Sequence, residues 1–534
     1  MFSSTAANYL ALFIATVAGY LVLDHCGVFG PRRIKNIPSV PSLPVVGNLL
    51  DVLDNPAKQY SVWAEKYGDV FQMRMGNKIV VVANSFDTVK ELWIKNRDAN
   101  NSRPVLFTFH NVVSATQGFT IGTTPYGESY KKKKKIVATA LNKRNVEKSS
   151  GFIAGESRGM FRRIDTHSGL ITPHHDNGVD IDAFKLMQGF VLRVSLYLTY
   201  GYLVKVEHTD RCKLFEEISH VENRIVRLRG HSSNLQDYLP MLRYLPSNAK
   251  NGQAADYRNR RDVYMAKFKR DLVAKIEEGT DYKDCIVSRA LDPQNTEFPE
   301  VNDDELRSVC LTMVSAGLDN TPLVLNHILG HLSQPEYGER LQDIAYNEIL
   351  KVFETPEMAF ASCIEGYTVD YVHALLKEGL RYFSVLPTSL PRTTTKDIIF
   401  RDSVIPAGTI MFLNVFGANH DTRHFDNPFV FAPERFLDEH CKLKETEGTT
   451  LFTFGAGARM CAGSHLAMKE MYISLVRFIL LYKILPPTLP EQPMELNIFK
   501  LNAVPDSVAI EPDEFKIRLV KRDPDQFHKL VWLD

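Results

Sequence analysis

The spacing of apolar and polar positions changes several times along this chain of 534 residues, and each change marks an element. Ala6 to Leu23 is uncharged and mostly apolar. As a helix it would rise roughly 27 Å, close to the hydrocarbon thickness of a bilayer. Asp24 and His25 interrupt it, and Arg32, Arg33 and Lys35 follow, so the positive-inside bias puts the body on the cytosolic side. The competing reading, a cleaved signal peptide, would need a charged N-terminal region, which is absent, and a small-residue cleavage site, which is not convincing. Pro31, Pro38, Pro41 and Pro44 then predict a semi-rigid spacer ending near Gly47-Asn48. The expected division is a single-span anchor over 1–30, a proline-rich hinge over 31–50 and one domain over 51–534.

Within that domain, 57–67 reads as a helix, and Val70–Met75 with Lys78–Val82 as a hairpin about Gly76-Asn77. A helix is expected from Ser85, as N-cap, to about Lys95. Residues 100–125 are irregular and rich in aromatics, Thr and Ser; so long an unpatterned stretch inside a domain is usually functional or mobile. From about 150 to 300 the pattern is helical, amphipathic and charged. Asn302-Asp303-Asp304-Glu305 opens a further helix with a cap and first-turn acids. From Leu311 to Leu332 its one acidic side chain is Asp319. Asp319, Asn320, Gly317 and Pro322 near its middle argue for a buried rather than a membrane-spanning helix. A helix over about Val369–Phe383 follows, then short β-like segments at Ile398–Arg401 and Thr409–Val415. The fold class is mainly α with small β-sheets (α+β).

Composition narrows the function. With 44% hydrophobic residues and no low-complexity linker or repeat, the chain can bury one large core. Lys+Arg and Asp+Glu balance at 63 each, which gives no reason to expect nucleic acid as a partner. The seven cysteines are odd in number and scattered without a C-x-x-C pair, which fits a reducing compartment. The Asn100-Asn101-Ser102 sequon is then without use. One local anomaly stands out: Lys131 to Lys135, five in succession. Such a run is either a solvated helix face or a patch for an acidic partner, and on a helix some of the five must turn inward.

Three places carry candidate chemistry. Phe454-Gly455-Ala456-Gly457-Ala458-Arg459-Met460-Cys461-Ala462-Gly463 sets a cysteine after a glycine-rich loop and before an apolar helical pattern. Glycine lets backbone approach a flat ligand closely, and a helix N-terminus stabilises a thiolate. A buried free cysteine beside an ordinary turn is the plain alternative. Asp319, an acid in an apolar helix, is expensive unless satisfied or used. Glu378 and Arg381, at i and i+3, share a helix face.

The ten-residue cysteine frame resembles the haem-binding loop of the cytochrome P450 superfamily at each defining position. Glu378-x-x-Arg381 is similar to that superfamily's helix-K motif, Arg435 to the partner completing its buried structural cluster, and Ala316-Gly317-Leu318-Asp319 to its oxygen-binding groove. The anchor and proline hinge resemble the microsomal class. The resemblance implies haem b (iron protoporphyrin IX) with Cys461 as axial thiolate and iron ligand. Phe454 lies in the loop, with Arg459, Arg392, Tyr130 and Lys134 toward the propionates. It further implies Asp319, Asn320 and Thr321 as the catalytic group, where the family's usual threonine is replaced by Asn320 and Thr321 stands one place on. Tyr130 and Lys134 stand where the family has tryptophan and arginine. Asn101-Ser102-Arg103-Pro104, the stretch from Thr116 to Thr123 and Gln236-Asp237-Tyr238-Leu239-Pro240 look like fungal phenylacetate hydroxylases, whose relatives hydroxylate cresols and benzyl alcohols.

The function so implied is monooxygenation of a small aromatic compound with O2. Phe107, Phe109, Phe119 and Ser384–Leu390 would shape the pocket. No phosphate-binding Gly-rich loop follows a strand, so electrons would come from NADPH–cytochrome P450 reductase, with cytochrome b5 as a second donor, docking at Lys131–Lys135. The expected location is the endoplasmic reticulum membrane. Rival readings are a P450-fold isomerase or dehydratase needing no external electrons, and a non-catalytic haem sensor.

Overall fold

Helix α1, Pro56–Tyr67, starts at Asn55, whose side chain accepts from Lys58 N, with proline at the first helical position. The structure is a computed structural model that describes the chain apart from residues 1–11, 13, 14, 17, 20, 21, 25–29, 117, 169–177, 205–212, 231–233, 245–248, 445–449, 490–492, 505, 506 and 534. Strands β1 (Val70–Met75) and β2 (Lys78–Ala83) pair antiparallel about Gly76, whose φ of 55° takes the left-handed form a tight turn requires. The helix expected from Ser85 to Lys95 begins with a Ser85–Thr88 capping box, then widens after Val89 into a π-helical turn over Lys90–Lys95. Residues 100–125 are irregular except for one π-helical segment, Phe107–Val113.

The elements that frame the site follow in order. They are α2 (Glu128–Ala140), β3 (Gly178–Ile181), α3 (Ala183–Tyr200), α4 (Lys213–Arg227), α5 (Ala249–Glu277), α6 (Asp303–Leu332) and α7 (Asp370–Tyr382). Next come β4 (Arg392–Thr393), β5 (Ile398–Phe400), β6 (Ser403–Ile405), β7 (Ile410–Leu413), α8 (Ser464–Leu481), β8 (Tyr482–Leu485) and β9 (Ile517–Lys521). Shorter helices lie between them. Three small sheets result: β1-β2-β7-β4, in which β2 and β7 run parallel, β3-β9-β8, and the hairpin β5-β6. The pairing of β3 with β9 joins residues far apart in sequence, and nothing in the helical pattern of 150–300 announced it.

Helix α6 is the axis. Asn302 caps it in a reciprocal box with Glu305, and its sides pack on α2, α3, α7 and α8. Among the described residues it is the one helix long and apolar enough to cross a membrane, but 78% of its apolar window is buried inside the protein, as a core helix should be. The span expected over Ala6–Leu23 falls mostly outside the described residues; Leu12, Val22 and Leu23 within it are helical and exposed. Asp24, the residue just after it, accepts from both Nη atoms of Arg74 of β1 at 2.7 and 2.8 Å. Part of the proline-rich stretch is hydrogen-bonded along β1. Gln72 N donates to Pro38 O, Val40 N donates to Gln72 O, and the Gln72 amide holds Ile34 and Ile37. Asn100 of the sequon is fully buried.

Candidate active site

The cysteine loop is positioned by its backbone. Gly455 and Gly457 take φ of 75° and 60°, and a Cβ on Gly457 would come within 2.0 Å of Trp93 O. No other residue fits there. Cys461 N donates to Phe454 O at 2.9 Å, closing the loop on itself. Cys461 stands at the entry to α8. Burial pushes its thiol up, while the Gly463 and Ser464 N–H groups and the Lys134 charge pull it down. Its side chain lies deep in the protein yet retains accessible surface, as expected of a group that faces an internal space.

Behind the loop, Glu378, Arg381 and Arg435 form the expected cluster. Arg381 forks onto Glu378 at 2.7 and 2.8 Å, and Arg435 Nε reaches both oxygens at 3.1 and 3.2 Å. Ala432 N adds a backbone bond to Glu378 at 2.8 Å. Glu378 and Arg381 are wholly buried. The cluster reaches the loop through Asn419. Arg381 donates to Asn419 O, and the Asn419 side chain accepts from Phe452 N and donates to Thr453 Oγ1. The ion cluster therefore sets the chain's entry into Phe454–Gly463.

A second group of cations gathers over the loop. Arg392 donates to Asn100 O at 3.0 Å and to Ala456 O; Arg459 donates to Asn101 O at 2.8 Å and to Thr124 O. Tyr130 and Lys134 of α2 both donate to Ala458 O, and the Arg459 guanidinium lies 3.7 Å from the Tyr130 ring centre. The four residues predicted from sequence therefore meet. A fifth was missed: Arg103 donates to Leu390 O and Pro391 O, and its Nε is buried with no partner. Burial and mutual repulsion depress Arg103 and Arg392, the latter to about 9; burial also lowers Arg459. Among the described residues none of the three guanidiniums has a carboxylate partner. Buried cations normally come paired, so this arrangement fits an anionic ligand. Arg103 belonged to a stretch read as bearing on substrate; its charge was the overlooked signal.

On α6 the predicted residues diverge. Asp319 is buried and accepts from Gln188 of α3 at 2.8 Å. The Asn223 amide of α4, with its nitrogen toward Asp319, donates to both oxygens at 2.9 and 3.1 Å. Burial pushes the Asp319 carboxyl up to about 7, against the pull of Gln188. Asn320 turns the other way and donates to Ala316 O at 2.8 Å. Ala316 is exposed and Asn320 half-buried in the middle of the helix, whereas Thr321 is buried. The accessible face is that of Ala316 and Asn320, and Thr321 is off it. A one-residue step rotates a side chain by about 100°, which accounts for all three placements. Pro322 has no N–H to return to Leu318 O, which loosens the ladder at this point. Gln188 and Asn223 were not foreseen: an amide on an amphipathic helix carries no signal of what it will face.

The segment Phe107–Val113 puts Phe109 and Val113 into an apolar cluster with Leu311, Val314 and Leu318 of α6. Asp237 accepts from Thr108 N at 2.7 Å and from Thr108 Oγ1 at 3.1 Å, and Gln236 donates to the same hydroxyl. Two of the stretches that look like phenylacetate hydroxylases thus flank this segment. Phe109 is buried, Phe107 lies under Arg243, and Phe119 meets His110 edge-on. Of the lysine run, Lys131 and Lys135 are exposed and Lys132 half-buried; Lys133 is buried on Phe119 O and Thr124 Oγ1 and lowered to about 8.

Comparison with known proteins gives one family model, described as Cytochrome P450, matching residues 38–510. The chain is 41% identical to a phenylacetate 2-hydroxylase of Emericella nidulans, over 96% of this chain and 95% of that one. It is 35% identical to a 3-hydroxyphenylacetate 6-hydroxylase of the same organism, over 94% and 92%. It is also 35% identical to a cytochrome P450 monooxygenase of Mycosarcoma maydis, over 97% and 92%.

Proposed function

The chain belongs to the cytochrome P450 family, and from that membership we propose that it hydroxylates a small aromatic acid of the arylacetate type. It is a monooxygenase that uses haem b held by a cysteine thiolate. What carries the substrate reading is the likeness, over nearly the whole of both chains, to two hydroxylases named for aryl acetates. The stretch Gln236–Pro240 supports it, because Gln236 and Asp237 fix Thr108 in the aromatic segment that would shape the pocket.

Cys461 would hold the haem iron through its thiolate. It has accessible surface at depth, a closed backbone loop and helix-end N–H groups that favour its thiolate. Arg103, Arg392 and Arg459, with Tyr130 and Lys134, hold the two propionates, which supply the carboxylates these cations lack. Phe454 and the glycines leave room for the flat face. Bound haem supplies the oxidising chemistry, placing one atom of O2 in the substrate. Asp319, poised near neutrality, holds and returns a proton at its carboxyl, while Asn320 offers an amide to water on the accessible face of α6. Thr321 supports the helix from within.

Ala6–Leu23 anchors the protein as a single span in the endoplasmic reticulum membrane, with 1–30 as anchor, 31–50 as connecting segment and 51–534 as the cytosolic catalytic domain. Electrons come from NADPH–cytochrome P450 reductase or cytochrome b5, met by the outward Lys131, Lys132 and Lys135. The test is turnover with reductase, NADPH and phenylacetate, against cresols and benzyl alcohol. Hydroxylated phenylacetate that requires NADPH, and that declines as salt rises, is expected. NADPH-dependent product from the neutral phenols alone would overturn the substrate assignment.

A further inference from the structure

Several arginines in this protein grip carboxylates by the same edge. Arg381 on Glu378, Arg260 on Glu217 and Arg227 on Glu511 each present Nε and Nη2 to the two oxygens. That parallel pair of donors matches the geometry of a carboxylate. Arg229, two residues beyond α4, holds the same edge out, but both its Nε and Nη2 are buried without an acceptor. Among the described residues it is the one arginine with that whole edge buried and unfilled.

Its setting is that of a recognition residue. The guanidinium carbon lies 4.7 Å from the ring centre of Phe109, in the roof segment Phe107–Val113. The roof is pinned from both sides, by Asp237 on Thr108 and by Arg258 and Arg261 on Val112 O and Val113 O. The turn bearing Arg229 is pinned as well: Asn234 Nδ2 donates to Leu228 O and Gly230 O, both at 2.8 Å. Arg229 is also close enough to Asp319 of α6 to feel its charge. The buried acid between Arg229 and Arg261 is Glu222, and its Oε1 is taken by the Tyr264 hydroxyl at 2.6 Å. Arg261 also lies 3.7 Å from Asp262, and Glu222 Oε2, like the Arg229 edge, is buried without a hydrogen-bond partner. Glu222 and Asp319 therefore balance the charge of this corner, while the Arg229 fork itself stays unfilled.

We infer that Arg229 is the specificity-determining residue of the pocket: its Nε–Nη2 edge takes the carboxylate of an aryl acetate, while the substrate ring packs toward Phe109. This deepens the arylacetate reading above and rests on it.

The experiment compares phenylacetate with its neutral isostere phenylacetamide, and both with p-cresol, by substrate-induced difference spectra and by calorimetry on the holoenzyme. Wild type should bind phenylacetate tighter than phenylacetamide. Arg229→Met should lose about 10- to 150-fold in phenylacetate affinity, the range for a hydrogen bond to a charged group, and keep phenylacetamide within about threefold. Arg229→Lys should recover part of the loss, since a point charge replaces a fork. Phenylacetate bound equally by wild type and Arg229→Met would overturn the inference and leave the arylacetate reading intact, the free edge then being satisfied by Glu222. A wild type that binds p-cresol and neither phenyl acid nor amide would overturn both. Should Arg229→Met fail to fold, the wild-type ratio of phenylacetate to phenylacetamide decides alone: a ratio near one contradicts the clamp.

Discussion

Around Cys461 the loop backbone is closed by the protein's own atoms, and the cations beside it, Arg103, Arg392 and Arg459, donate to backbone carbonyls. Around Asp319 and Arg229, in contrast, a carboxyl is pushed up to about 7 and an arginine edge has no acceptor. The cysteine loop is closed by a backbone bond to Phe454, fixed at Gly457 by contact with Trp93 O, and backed by the wholly buried Glu378–Arg381 pair. On the far side of the pocket a carboxyl sits near neutrality, held by two side-chain amides, and an arginine edge has no acceptor. The first region suits a ligand that is bound once and kept. The second suits ligands that come and go, since groups left unpaired in the resting state are the ones a substrate or proton can engage.

The comparison can be broken most forcefully at the ion cluster. Glu378→Gln strands two guanidiniums that now share one carboxylate, and should cost about 3–5 kcal/mol of stability in denaturant titration. A loss below about 1 kcal/mol would mean that the loop is supported elsewhere.

Asp319 gives the next effect, and its sign is opposite to that of an ion-paired acid. Its folded value of about 7 lies above the ordinary carboxyl value, so between roughly pH 4 and 7 the folded state holds more protons than the unfolded one. Stability from this group is fully present below about pH 4 and is lost as pH rises toward 7. Relative to Asp319→Asn, wild type should lose no more than about 4 kcal/mol across that window, less what the Gln188 and Asn223 amides return. Parallel pH–stability curves for the two proteins would contradict the assignment.

The smallest effect separates the cation cluster from the ion cluster. Arg103→Leu removes one of three mutually repelling guanidiniums, so the apoprotein should hold its stability or gain up to about 1 kcal/mol. Haem should nevertheless leave the variant faster in a transfer assay to an acceptor protein. If apoprotein stability fell and haem loss did not change, Arg103 would be a structural residue only.

The two regions also differ in how far they were legible in the chain. Glu378 and Arg381 share a helix face by their i,i+3 spacing, while the role of the cysteine frame and the place of Arg435, 57 residues from Glu378, came from the family resemblance. The hairpin about Gly76 and the caps at Ser85 and Asn302 were legible because local backbone decides them. The other region depends on contacts between distant elements. Gln188, Asn223 and Arg229 reach Asp319 or Phe109 only because α3 and α4 pack against α6 and the roof. The β3–β9 pairing was hidden likewise, since a four-residue strand in a helical stretch carries no periodicity of its own. At Thr321 the one-residue offset was visible in sequence, but its burial required the packing of α6 to be known.

The central claim is that Cys461 supplies the thiolate, and the most direct measurement is the absorption spectrum of the reduced, carbon-monoxide-bound protein beside its Cys461→Ser variant. Wild type should show the red-shifted Soret band of thiolate ligation, and the variant should lose it while its circular dichroism remains that of a folded protein. A variant that keeps the band would place the ligand elsewhere and contradict the account.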